Sequence, residues 1–98
     1  MNMQNILKQA QKIQKEMMEE KKKIDETIFS EKTSLVSVEM KGNKELVSVK
    51  ILADDLTNDD IEMLEDMIMV AINNVIRKID EETEKKLGKF TQGMPGLF

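Results

Sequence analysis

Apolar residues recur along the first thirty positions at alternating steps of three and four: Met3, Ile6, Ala10, Ile13, Met17 and Ile24. That spacing places side chains on one stripe of a helix, and only Glu20 interrupts it. A helix from about Asn2 to Thr27 is roughly 40 Å long, far longer than a compact domain of this size is wide. One copy of the chain is too small to bury the whole seam, so the pattern points to cover from a second copy.

The period then drops from about 3.6 to 2. Val36, Val38 and Met40 alternate with Ser37, Glu39 and Lys41, and after Gly42-Asn43 the residues Val47, Val49 and Ile51 alternate with Ser48 and Lys50. Alternation of this kind predicts a β-hairpin. Gly42 and Asn43 tolerate positive φ and suit a tight turn, which Lys44 can lengthen. Ile28 to Glu31 adds a short strand ahead of the pair. Each strand has one apolar and one polar face, so the sheet should be antiparallel, with one side packed under the helices and the other wet.

A polar connection from Leu52 to Asn58 leads to a second long helix. Asp59 followed by Glu62 fits a capping box, and Asp59, Asp60, Glu62, Glu65 and Asp66 suit the positive end of the helix dipole. Ile61, Leu64, Met67, Ile68, Ala71, Ile72, Val75, Ile76 and Ile79 form a wider apolar band than the first helix carries, so this helix should be the better buried. Gly88 is read as its stop. A Gly- and Pro-punctuated tail over about residues 90–98 ends in Leu97-Phe98 and is read as either docked or mobile. No internal repeat, low-complexity stretch or second domain interrupts residues 1–98, which read as one domain.

Composition and charge narrow the chemistry. A chain of 98 residues buries only about 60–65% of the surface its unfolded form exposes, a shortage that an oligomer relieves. Apolar residues make up 40% of the chain, too many for a disordered one and too interspersed with charge for a membrane span. No secretory signal pattern opens the sequence and it has no Cys, so a cytoplasmic location is expected. Residues 1–50 hold ten lysines and eight acids, a balance of +2, whereas residues 51–98 hold five bases and eleven acids, a balance of −6. With no global basic field, any nucleic-acid binding must use a local face.

With no His, Cys or Tyr, general acid–base chemistry falls to Asp, Glu and Lys, and no nucleophile motif surrounds any Ser or Thr, so no enzyme is expected. The carboxylates Asp54, Asp55, Asp59 and Asp60 lack the Gly and terminal Glu of a calcium loop and read as capping and solvation. No Gly-rich loop follows a strand to cradle phosphate. No metal, cofactor or small-molecule substrate is implied. The nine methionines read as core filling. Three Phe without Trp or Tyr are too few for a base-stacking platform, which makes duplex DNA the better nucleic-acid partner.

The lysines are more informative on a helical wheel. Lys8, Lys12, Lys15, Lys22 and Lys23 fall within roughly 100° of one another, centred opposite the Met3–Ile24 seam. A dimer that buries the seam would hold this stripe outward, toward phosphates along a duplex. Glu19 lies within the stripe and Glu16 at its edge, so an ordinary solvated face with these acids paired to lysines at helical spacing remains open from the residues alone. Lys85, Lys86 and Lys89 extend the basic set at the end of the second helix, or simply complement its dipole.

The opening Met1-Asn2-Met3-Gln4-Asn5-Ile6-Leu7-Lys8-Gln9-Ala10-Gln11-Lys12-Ile13-Gln14, the segment Leu64-Glu65-Asp66-Met67-Ile68 followed by Ala71 and Asn73, and the Thr91–Phe98 ending together resemble the YbaB/EbfC family of bacterial nucleoid-associated proteins. The resemblance spans nearly the whole chain. It implies a small cytoplasmic homodimer of helix–sheet–helix design that binds DNA at the nucleoid. One departure is that the family often has glycines ahead of the second strand, where this chain reads Glu31-Lys32-Thr33-Ser34. The combined expectation is an α+β homodimer of long helix, about three antiparallel strands and long helix. Its partner is double-stranded DNA and not a membrane, and a scaffold dimer whose acidic second half recruits a protein is the alternative.

Overall fold

The computed structural model describes residues 2–91. Helix α1 spans Met3–Glu26, strands β1, β2 and β3 span Ile28–Lys32, Val36–Lys41 and Leu46–Ile51, a single 3-10 turn covers Asn58–Asp60, and helix α2 spans Ile61–Thr91. The α+β order expected from the change of hydrophobic period is the order observed.

Helix α1 begins and ends on side-chain caps. The Asn2 carboxamide oxygen accepts from the Gln4 N–H at 3.0 Å, and the Thr27 hydroxyl donates to the Lys23 carbonyl at 2.6 Å. Thr27 turns the chain directly into β1. The sheet is antiparallel in the order β1-β2-β3, with Phe29 opposite Met40 and Val38 opposite Val49. The β1–β2 connection has no glycine. It is closed by Thr33, whose hydroxyl accepts from the Val36 N–H at 3.1 Å and whose N–H donates to the Val36 carbonyl at 2.7 Å.

The β2–β3 turn differs from the expected one. Positive φ falls on Lys44 (71°), not on Gly42 or Asn43. The loop is longer than a two-residue turn, with the Lys41 N–H bonded to the Glu45 carbonyl and the Asn43 side chain accepting from the Glu45 N–H. Gly42 serves close approach instead: a Cβ there would run into the Ile24 carbonyl oxygen. A register shift at Glu39/Met40 accommodates the longer turn.

Val36, Val38 and Met40 of β2 pack with Ala71, Val75 and Ile79 of α2 to form the core. Helix α2 lies across β1 and β2 but not β3. Val49 and Ile51 share the covered face with their partners Val38 and Val36, yet remain 43% and 48% exposed. The expectation that every strand packs one apolar face is therefore corrected for β3, which the helix does not reach.

Both ends of α2 are also corrected. The capping box lies two residues earlier than Asp59–Glu62, on the 3-10 turn that leads into α2: the Asp60 carboxylate accepts from the Thr57 N–H at 2.9 Å and from its hydroxyl at 3.1 Å. The backbone donor, then the hydroxyl, hold Asp60 below its ordinary value of 3.8, so this support is intact at neutral pH and fades only as pH falls through the lowered value. Gly88 does not stop the helix, which continues to Thr91. Leu87, 1% exposed, and half-buried Phe90 hold the last turns in place. Residues 90 and 91 of the stretch read as a tail over about 90–98 are therefore helical, and its choice between docked and mobile lies outside the described residues.

A Cβ on Gly88 would meet nothing within 4 Å. Gly88→Ala is expected to stabilise the fold by about 0.5–1 kcal/mol, because glycine inside a helix loses the most backbone entropy on folding. A urea midpoint below that of the parent would refute this.

Candidate nucleic-acid interface

Helix α2 runs antiparallel to the last turns of α1. Ile24 of α1 sits beside Ile79 and Asp80, while Glu20 and Lys23 share a cleft with Glu82 and Lys86. The polar break in the seam thus has a local partner surface: Glu20 faces a cleft holding two lysines. Beyond it α1 leaves the body. Every residue from Asn2 to Glu16 is exposed, and the molecule measures 71 × 21 × 14 Å.

Lys8, Lys12 and Lys15 stand on this free arm. The segment from Asn2 to Lys15 contains these three bases and no Asp or Glu, the first acid being Glu16. That segregation of charge was visible in the sequence and is a sharper signal than the wheel. On the wheel the three fall within about 60° of each other, along roughly 10 Å of axis, on the side away from Ile6, Ala10 and Ile13.

Lys22 and Lys23 are exposed on the part of α1 that is backed by α2. Lys15 and Lys22 border one shallow groove with Gln11, Gln14 and Glu19, whereas Lys23 turns toward Lys86 on the other flank. Among the described residues none of Lys8, Lys12, Lys15, Lys22 and Lys23 forms an ion pair, so the pairing of Glu16 and Glu19 with these lysines is not made. Lys21, outside the stripe, is the one that pairs, with Asp25 at 3.2 Å.

The second set is more engaged. Lys86 lies 3.9 Å from the Glu82 carboxylate, and the Lys89 ammonium sits 4.9 Å from the centre of the Phe90 ring. Lys85 is exposed. The structure brings Lys23 and Lys86 together and keeps Lys8, Lys12 and Lys15 apart from the α2 lysines. Among the described residues no group of acidic side chains converges to hold a metal ion, and no helix is long and apolar enough to cross a membrane. What the arrangement offers chemically is a projecting helix with a row of unpaired ammonium groups, suited to a polyanion rather than to a small molecule.

This chain, a long helix, a three-stranded antiparallel sheet and a second long helix with a basic arm standing clear of the body, belongs to the YbaB/EbfC DNA-binding family, which residues 1–94 match. The relatives it resembles include a nucleoid-associated protein of Lactococcus lactis subsp. cremoris, 44% identical over 97% of this chain and 98% of the relative. Another is a nucleoid-associated protein of Enterococcus faecalis, 40% identical over 98% of this chain and 94% of the relative. Among solved structures, an uncharacterized protein from Helicobacter pylori superposes with a TM-score of 0.72 at 26% identity, covering 87% of this chain and 91% of that one. Relatives and family alike are described by DNA or the nucleoid, not by a reaction.

Proposed function

We propose that residues 1–98 form one domain of a non-catalytic nucleoid-associated protein that binds duplex DNA as a homodimer in the cytoplasm, mainly through backbone phosphates, in nucleoid organisation or gene regulation. The observation that carries this reading is the arm: three lysines, no carboxylate, and no ion pair to another described residue. Lys22, which shares a groove with Lys15, extends this row, and Lys23, Lys85, Lys86 and Lys89 offer a second basic patch apart from it; Glu19 weakens the first, and Glu20 and Glu82 the second. A protein of net charge −4 repels DNA at long range, so attraction depends on this local row. Ammonium groups act as point charges on phosphates and carry little base information, which gives modest sequence preference.

Two uncovered apolar surfaces support pairing of copies. One is the arm's seam, with Met3, Ile6 and Ile13 exposed; the other is the open face of β3, with Val49 and Ile51 exposed. A dimer presents two arms and doubles the number of phosphate contacts.

The test is a DNA titration across salt, with the mass in solution determined by light scattering. Six arm lysines in a dimer predict a fall in affinity of about a thousandfold between 50 and 200 mM salt, at a mass twice the 11.3 kDa of one chain. A flat affinity over that range would favour the scaffold alternative, in which the acidic second half recruits a protein. A stable 11.3 kDa particle at micromolar concentration would remove the dimer.

A further inference from the structure

Helix α1 has a third face besides the apolar seam and the lysine row. Gln4, Leu7 and Gln11 recur at steps of three and four, so they fall within about 60° of one another, about 70° round the helix from Lys8, Lys12 and Lys15 and about 120° from the seam. None of the three is charged and all are exposed. Leu7 is 59% exposed and lies outside the seam. Among the described residues neither glutamine side chain has a hydrogen-bond partner. Further along the same face Gln11, Gln14 and Met18 share one shallow groove with Lys15 and Lys22, so the uncharged row and the basic row are contiguous.

Carboxamides and an apolar side chain in one row match what the major groove shows at A·T pairs. Adenine presents N7 as an acceptor and its N6 amino group as a donor, which one glutamine carboxamide engages together, and thymine presents its C5 methyl group to apolar side chains. The groove is about 12 Å wide and admits an α-helix. The arm is such a helix, with every residue from Asn2 to Glu16 exposed. Gln4 and Gln11 are seven residues apart, about 10 Å along the axis, close to three base-pair steps of about 3.4 Å. With this row toward the floor of the groove, the adjoining lysines reach the phosphates of the bordering strand and the seam stays free for a second copy. Before Glu16 no carboxylate opposes the approach, and Glu19, beside Lys22, marks where it ends.

We propose that Gln4 and Gln11 hydrogen-bond adenine edges in the major groove while Leu7 packs on a thymine methyl group between them, so that the arm prefers A·T-rich duplex. The proposal rests on the DNA binding proposed above and adds the base recognition that ammonium–phosphate contacts lack.

The full chain is titrated at one salt concentration with two duplexes of equal length, one A·T-rich and one G·C-rich, and with the A·T-rich duplex rebuilt with 7-deazaadenine, which loses the N7 acceptor and leaves the minor groove unaltered. The parent is expected to bind the A·T-rich duplex about tenfold more tightly than the G·C-rich one, as a single bidentate amide–adenine pair requires, and 7-deazaadenine should remove most of that preference. Gln4→Ala/Gln11→Ala should bring the ratio to about one, with the mass in solution and the slope of affinity against salt unchanged, because alanine keeps the helix at these exposed positions. A preference that survives the double substitution, or that survives 7-deazaadenine and so reports minor-groove width or DNA shape, would overturn the proposal. A changed mass in the variant would place the row between copies and overturn it as well. Equal, salt-dependent binding of the parent to both duplexes removes base recognition alone, whereas no binding to any duplex removes DNA binding with it.

Discussion

Replacing Lys8, Lys12 and Lys15 together with glutamine is expected to lower affinity for duplex DNA at least a hundredfold near 0.1 M salt, while the folded protein keeps the parent's mass in solution. Each ammonium that neutralises a phosphate releases close to one counterion, about 1 kcal/mol at this salt, so three contacts amount to about 3 kcal/mol for each arm engaged. The slope of log affinity against log salt should fall by about three per arm, a readout that a merely structural effect would not change. Glutamine preserves helix propensity, and all three positions are exposed, so the fold has no reason to respond. The same exchange at Lys85, Lys86 and Lys89 should cost less, because Lys86 faces Glu82 and Lys89 rests on Phe90. Retained affinity and slope in the arm variant would place DNA on another surface and remove the arm from the mechanism.

Gly42→Ala is expected to destabilise the fold by about 2–4 kcal/mol. The added Cβ would strike the carbonyl oxygen of Ile24, which is backbone and lies at the last buried position of α1. A flexible side chain could swing away, but a carbonyl held between a helix end and a strand turn cannot. The Gly42 N–H also donates to the Thr27 carbonyl at 2.9 Å, so displacement breaks the junction that sets the direction of the arm. Urea unfolding should show a lower midpoint with an unchanged slope. A midpoint equal to the parent's would mean that the junction is compliant. Gly88→Ala has the opposite sign for a plain reason: one glycine is crowded by backbone and the other faces open space.

The contrast between those two glycines marks what one sequence can and cannot reveal. The limits of α1 were legible because a regular seam runs between two residues that cap helices, Asn2 and Thr27. The strands were legible because period 2 is hard to mistake for period 3.6. Gly42 looked like a turn residue, and only the packing of a distant helix end shows that its missing side chain matters more than its φ. Gly88 looked like a stop, but the docking of Leu87 and Phe90 outweighs the modest cost of glycine within a helix. Alternation in Val47–Ile51 revealed an apolar face without revealing that α2 ends its coverage at β2.

The basic surface was partly legible in the same way. The wheel placed Lys8, Lys12 and Lys15 opposite the seam, and they stand exposed there. It could not tell them from Lys23, since the neighbourhood of Lys23 is decided by Glu82 and Lys86 some sixty residues later. The absence of carboxylates before Glu16 was the readable clue to that difference.

The projecting arm also governs how the protein behaves in a column. Its radius of gyration is 19.4 Å, whereas a compact chain of this length would have about 13 Å, and about 300 residues would be needed to reach the larger value. A single copy should therefore elute ahead of globular standards of its own mass. Retention volume alone will make one copy look like an oligomer, while sedimentation, which separates friction from mass, will count the copies correctly.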